Sequence, residues 1–311
     1  NRAFYGIRPL YTKDNIPTNA VHGFINILKK HIFGEGRKEF VISDMPKTRR
    51  KQFVKLISNR IGKLLKINLL VFLFALPLIA WDILSLTYAS SFGELNLVEN
   101  LNKYITFLNN YKFPIKTILT MVLFLGVCGG AYVIRRLTWD EPISVFYDFK
   151  KGIKLSYKQF IIIGILFGIF AHIFELSFLL LKYNNVFDKT QLILLYALLF
   201  LSSVLLFILL MYSITLSSVY VSSLFTIIKT SLILTLKYFI KNLGIIALTL
   251  IPVMIWFLFD MIYLNFIGYI ILGMCGFVYI GLIWFLYTYS VYDIHINLKQ
   301  YPDYYRKGLY K

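Results

Sequence analysis

Cysteine, histidine and acidic residues are all scarce in this chain, and each shortage removes a class of function. The two cysteines, Cys128 and Cys275, lie in apolar stretches with no CxxC spacing and no histidine beside them. That excludes a zinc or iron–sulfur site of the usual spacing and a disulfide framework, and leaves both as small buried hydrophobes. The four histidines, His22, His31, His172 and His295, are scattered. No GxSxG, GxxxxGK[ST], HExxH, GxGxxG or paired acidic metal motif occurs, so neither an enzyme nor a cofactor is expected.

Apolar residues are abundant. The chain is 58% hydrophobic, 18% aromatic and only 15% charged, with a mean hydropathy of +0.69. A soluble domain does not have this balance, and lipid is the expected solvent. Six apolar runs, roughly 64–86, 117–134, 160–181, 191–216, 243–259 and 267–289, each approach the ~20 residues that cross a ~30 Å hydrocarbon core. The second and fifth are short, and their ends are expected to extend into the flanking loops. Pro77 and Pro252 lie inside the first and fifth, where a missing N–H permits a kink. The predicted fold is therefore all-α, a polytopic membrane protein with six transmembrane helices.

The net charge of +18 does not point to nucleic acid, because the basic residues sit between apolar runs rather than on a soluble face. Of the 33 Lys and Arg, 28 fall on one side of a six-span layout. The positive-inside rule makes that side the cytosol, with both termini in it and the protein multi-pass in the cell membrane. Residues 1–63 then form a cytosolic basic arm, 64–291 the transmembrane domain and 292–311 a cytosolic tail. The arm has no uninterrupted apolar run and no cleavage-site pattern, so no signal peptide is expected. Two apolar stripes at helical spacing, one through Val21, Phe24 and Leu28 and one through Phe53, Ile57 and Ile61, suit interfacial helices or helices packed on the protein's own cytosolic face.

Two connections between spans read as amphipathic elbow helices on the cytosolic side. The first follows Asp140 and Pro142, which suit a helix start, and carries Ile143, Phe146, Phe149, Ile153 and Tyr157 at helical spacing. A shift of 79 residues superposes it on the second with seven identities in eighteen positions, matching Ser144 with Ser223, Phe146 with Phe225, Lys150 with Lys229, Leu155 with Leu234, Lys158 with Lys237, Phe160 with Phe239 and Ile161 with Ile240. Spans two and three with their elbow, then spans four and five with theirs, would form a parallel internal repeat.

Several residues stand out as candidate sites. Arg135 and Arg136, followed by Asp140 and Glu141, suit a partner-docking knob or a phospholipid headgroup site, or simply topology anchoring with local ion pairs. Lys150, Lys151 and Lys229 on the elbows are candidates for meeting an acidic partner or anionic lipid. His172 and Glu175, one turn apart in the third span, form a candidate intramembrane polar pair, either handling protons or substrate or satisfying each other structurally. Asp82 and Asp260 fall at outer ends of spans. Gly126 with Gly130, and Gly164 with Gly168, allow close backbone approach between spans.

Three stretches, FVKLISNRIGKLLKINLLVFLFALPL, GVCGGAYVIRRLTWDEPISVFYDFKKGIKLSYKQ and SLFTIIKTSLILTLKYFIKNLGIIAL, carry a family resemblance. The pattern resembles the YesL-like family of bacterial integral membrane proteins of unknown function, over most of residues 50–295. The resemblance implies a compact six-helix bundle and an association with carbohydrate uptake, hence a protein partner such as an ABC-type sugar-uptake system. It assigns no activity and no site residues. The long outer loop, the long arm, and Ala131 and Tyr132 after the glycine pair depart from the family pattern. The function expected is that of a non-enzymatic accessory or scaffold protein contacting membrane lipids and a protein partner, the alternative being a small-solute transporter or channel subunit.

Overall fold

The computed structural model describes residues 8–9, 46–93, 98–183, 187–257 and 272–309. The stripe around Val21 to Leu28 and Asp260 lie outside the described residues. The architecture is all-α. Among the described residues seven helices carry the fold: α1 (Arg49–Ser90), α2 (Val98–Thr138), α3 (Val145–Lys182), α4 (Lys189–Val219), α5 (Leu224–Lys237), α6 (Phe239–Phe257) and α7 (Gly273–Gln300). Among the described residues five of these, α1, α2, α3, α4 and α7, are long and apolar enough to cross a membrane. The bent pair α5 and α6 makes a sixth if counted as one span. Exposed apolar side chains such as Leu69, Leu73, Ile83 and Leu84 line α1. That surface suits hydrocarbon and would be unfavourable in water.

The second apolar run is short only in composition, since α2 is one 41-residue helix containing a π-helical stretch at Leu108–Lys112. In α1 the chain bends away from helical geometry not at Pro77 but at Arg60, with φ −128° and ψ 15°. This is where Arg60 and Lys55 reach the carboxylate of Asp140, at 3.6 and 3.4 Å. Asp140 does not cap α3 as its position suggested. It stands in the left-handed region at φ 54°, with the Asp140 and Glu141 N–H groups bonded to Leu137 O and Arg136 O. That is the Schellman pattern closing α2, and aspartate tolerates it. The start of α3 is held instead by Asp148, whose carboxylate accepts the Ser144 N–H at 2.9 Å.

The two elbows differ. Residues 145–158 are not a separate helix, because α3 runs without a break from Val145 to Lys182. The second elbow, α5, is separate: the chain turns by 91° at Tyr238 (φ −111°, ψ 23°) into α6. Asn242 accounts for the difference. Its amide donates to Thr235 O at 3.1 Å and, at 3.5 Å, to Leu234 O, which also accepts the Tyr238 N–H, so it bonds the last turn of α5, and its Oδ1 accepts the hydroxyls of Tyr212 and Tyr287. The position 79 residues earlier is Ile163, which cannot do this. Leu155 and Leu234, equivalent in sequence, consequently end up exposed and buried.

α2 is the central element. From Gly126 to Trp139 it is enclosed almost entirely by α1, α3, α4 and α7. All four glycines of the two GxxxG pairs are used inside this one chain. A Cβ on Gly126 would lie 2.6 Å from Phe74 of α1, and one on Gly164 would lie 3.0 Å from Phe124 of α2. Asn68 of α1 stitches the π-helical start of α7, donating to Gly273 O at 2.5 Å and accepting Val278 N–H at 3.1 Å. Backbone groups freed where a helix widens are thereby satisfied inside the apolar layer.

Candidate functional site: charged layers at the two ends of the bundle

At the end of the bundle away from most of the basic residues, three helices share one ion network. Glu175 of α3 receives Lys112 and, at 3.2 Å, Lys116, both of α2, and Lys116 also reaches Asp82 of α1 at 3.3 Å. Lys112 is buried, with 6% of its side chain exposed. Two cations and two carboxylates therefore balance across α1, α2 and α3, which is what permits their burial. His172 does not pair with Glu175. It bonds Asn109 at 3.0 Å and stacks on Phe113 with centroids 4.4 Å apart. Sequence reasoning named Glu175, His172 and Asp82 but missed Lys112 and Lys116. Their spacing of four placed them on one face, but nothing in α2 alone showed that the face would meet a carboxylate.

Beyond the network, an aromatic cluster closes the ends of α1 and α2: Tyr88 and Phe107 centroids lie 4.8 Å apart and Tyr88 and Phe92 5.2 Å apart. A cavity of about 330 Å³ between these helices is lined by Trp81, Leu84, Ser85, Tyr88, Phe107, Tyr111 and Ile115. The Ser85 hydroxyl there is occupied by Trp81 O and Asp82 O of its own helix.

At the basic end, a second polar layer fastens the C-terminal segment beneath α1 and α2. Arg49 pairs with Asp293 at 3.0 Å and donates to Lys307 O at 3.0 Å, while Gln52 donates to Thr138 O and, at 3.2 Å, to Gly308 O. Gly308 adopts φ 82° pressed against Thr138, where a side chain has no room. Lys307 pairs with Glu141 at 2.9 Å and lies 4.0 Å from the Trp139 ring centre. Burial alone would raise the Glu141 pKa, but Lys307, then Arg135 and Arg136, outweigh it and hold the carboxyl below its usual range. The stretch after α7 is thus docked onto the bundle, with Leu309 buried.

The paired arginines belong to this layer. Arg135 is completely buried, donating to Ser218 O at 2.9 Å with its guanidinium over Tyr132 and Trp139 at 4.5 and 4.9 Å. Arg136 reaches Glu141 at 2.9 Å, Pro142 O at 2.8 Å and the buried carboxylate of Asp148. Their contacts are with the chain itself. Lys150 and Lys229 are exposed and Lys151 partly so, beside strongly exposed Phe146 and Phe225 at 73% and 77%. Cys128 is buried as expected and bonds Gly152 O at 3.4 Å, whereas Cys275 is exposed on the surface of α7. Among the described residues no group of three His, Cys, Asp or Glu side chains is placed to hold a metal ion.

The geometry is that of an all-α protein with several helices long and apolar enough to cross a membrane. No protein family, no curated relative and no solved structure matches the chain.

Proposed function

We propose that this chain is a non-enzymatic accessory or scaffold protein of the bacterial cell membrane, with six spans, α1 to α4, α6 and α7, and both termini cytosolic. The parallel repeat of α2 and α3 with α4, α5 and α6 is part of this reading, as is membership of the YesL-like group. The observation that carries it is the balanced network of Asp82, Lys112, Lys116 and Glu175, which ties three helices together. Charges spent on each other hold a bundle in register and are not free for a solute. The exposed start of α3, with Phe146, Tyr147, Lys150 and Lys151, then serves as the docking face for a partner, an ABC-type sugar-uptake complex at the level of the resemblance.

The test is co-purification in mild detergent. The tagged chain should retain a partner that Lys150→Glu/Lys151→Glu loses, with an unchanged elution volume. Equal retention by the variant would sink the docking face. A small-solute transporter is the second reading, favoured by Glu175 of α3, an ionisable side chain that keeps 26% exposure at the end of the bundle. It requires Glu175→Gln to abolish solute uptake while leaving partner retention intact.

A further inference from the structure

The start of α5 meets α3 where Gln159 donates to Ser222 O at 2.8 Å. Gln159 is the last polar residue before the apolar run of α3, so α5 begins level with that edge of the apolar layer. From there α5 extends at 91° to α6, and its packed side is fully engaged, with Ile227, Thr230, Ser231, Leu234 and Thr235 buried and Ser231 bonded to Ser213 at 3.1 Å. The opposite side is one uncovered stripe at helical spacing: Phe225, Lys229, Leu232 and Leu236, exposed by 77% and 61% at its ends. Among the described residues no carboxylate pairs with Lys229 or with Lys158, which adjoins the Gln159 junction. The chain has no acidic residue between Asp148 and Glu175 or between Asp188 and Asp260.

We propose that the α5 stripe and the α3 junction form a binding surface for anionic phospholipid, with Lys229 and Lys158 meeting phosphate and Phe225, Leu232 and Leu236 entering the acyl region. The inference rests on the membrane reading above and assigns Lys229 to lipid rather than to the protein partner. A helix crossing a spanning helix at a right angle lies in the membrane plane, and there an apolar stripe interrupted by lysine suits the headgroup boundary. Among the described residues this surface carries lysines and no paired carboxylate, a charge that complements anionic headgroups.

The test uses the full chain in detergent, titrated with phosphatidylglycerol or phosphatidylcholine and read by native mass spectrometry and thermal unfolding. Phosphatidylglycerol should be retained at least fivefold more than phosphatidylcholine. Lys158→Glu/Lys229→Glu should lose that preference, Lys158→Arg/Lys229→Arg should keep it, and Phe225→Ser should lower retention of both lipids. The circular dichroism spectrum of each variant reports folding, and Lys229→Gln alone, expected to halve the preference, replaces the double variant if that fails to fold. Equal retention of the two lipids by the native chain overturns the proposal. So does a preference unaffected by charge reversal, or an equal stabilisation by soluble glycerol phosphate, which would mean a free-anion site. Partner loss on Lys229→Glu at saturating phosphatidylglycerol would assign the surface to protein and also overturns it. The co-purification test of Lys150 and Lys151 is independent of these outcomes.

Discussion

Glu175 and His172 are one helical turn apart, yet their partners lie on α2 and differ. Lys112 and Lys116 hold the carboxylate, and Asn109 with Phe113 holds the imidazole. Glu175→Gln leaves Lys112 buried beside a neutral amide, so it should cost about 3 kcal/mol, the range for removing one partner of a buried ion pair. His172→Leu gives up a single hydrogen bond and keeps an apolar contact with Phe113, at about 1 kcal/mol. The two losses should add in unfolding measurements in detergent, because the groups share no hydrogen-bond partner. A coupling above about 1 kcal/mol would restore the mutual pair that the spacing of three suggested.

At the scale of elements, the segment after α7 is held by contacts that depend on charge. The folded Glu141 pKa is depressed, so its pairing with Lys307 contributes stability above the ordinary value of 4.5 and loses it as pH falls below that value through the folded pKa. Lys307 lies 4.0 Å from the Trp139 ring, which makes tryptophan emission a reporter of the attachment. In a variant keeping Trp139 but with Trp81, Trp256 and Trp284 changed to Phe, the emission should be constant near neutrality and change on acidification. Glu141→Gln should remove the acid transition and show the detached signal throughout. A Glu141→Gln variant that keeps both the native emission and the acid transition would place the titrating group elsewhere. The contrast between α3 and α5 belongs to this scale as well. Asn242 stops one helix where Ile163 lets its counterpart continue, a difference of one side chain that a seven-in-eighteen sequence match over 144–161 does not register.

For the whole molecule, the charged layers at the two ends bracket an apolar slab of the right depth. From Lys116 to Arg136 along α2 is about 20 residues or ~30 Å of helix, the thickness of a hydrocarbon core. The proposed topology predicts that, in cells, a membrane-impermeant thiol reagent labels a cysteine placed at Ser91 and spares one at Ser144. Cys128 and Cys275 would be replaced by serine in the same experiment. Strong external labelling at position 144 would invert the orientation and, with it, the leaflet that α5 meets.

Run length, composition and the placement of basic residues are properties of contiguous chain, and from them alone the helical class, the apolar spans and a charge-asymmetric layout are legible. The residues of the candidate sites were only partly legible. Glu175, His172, Arg135 and Arg136 stood out because ionisable groups are rare in apolar sequence, but what each one touches was not. Lys112 and Lys116 counted as ordinary loop lysines until α2 proved to extend back to Val98. Arg135, which a helix-end position suggested would face headgroups, is enclosed because α4 and the loop after α2 close over it. Only the tertiary structure decided these outcomes, since the free energy of a charge in an apolar layer depends on which distant residue supplies its counter-charge, and that choice is made by helix packing.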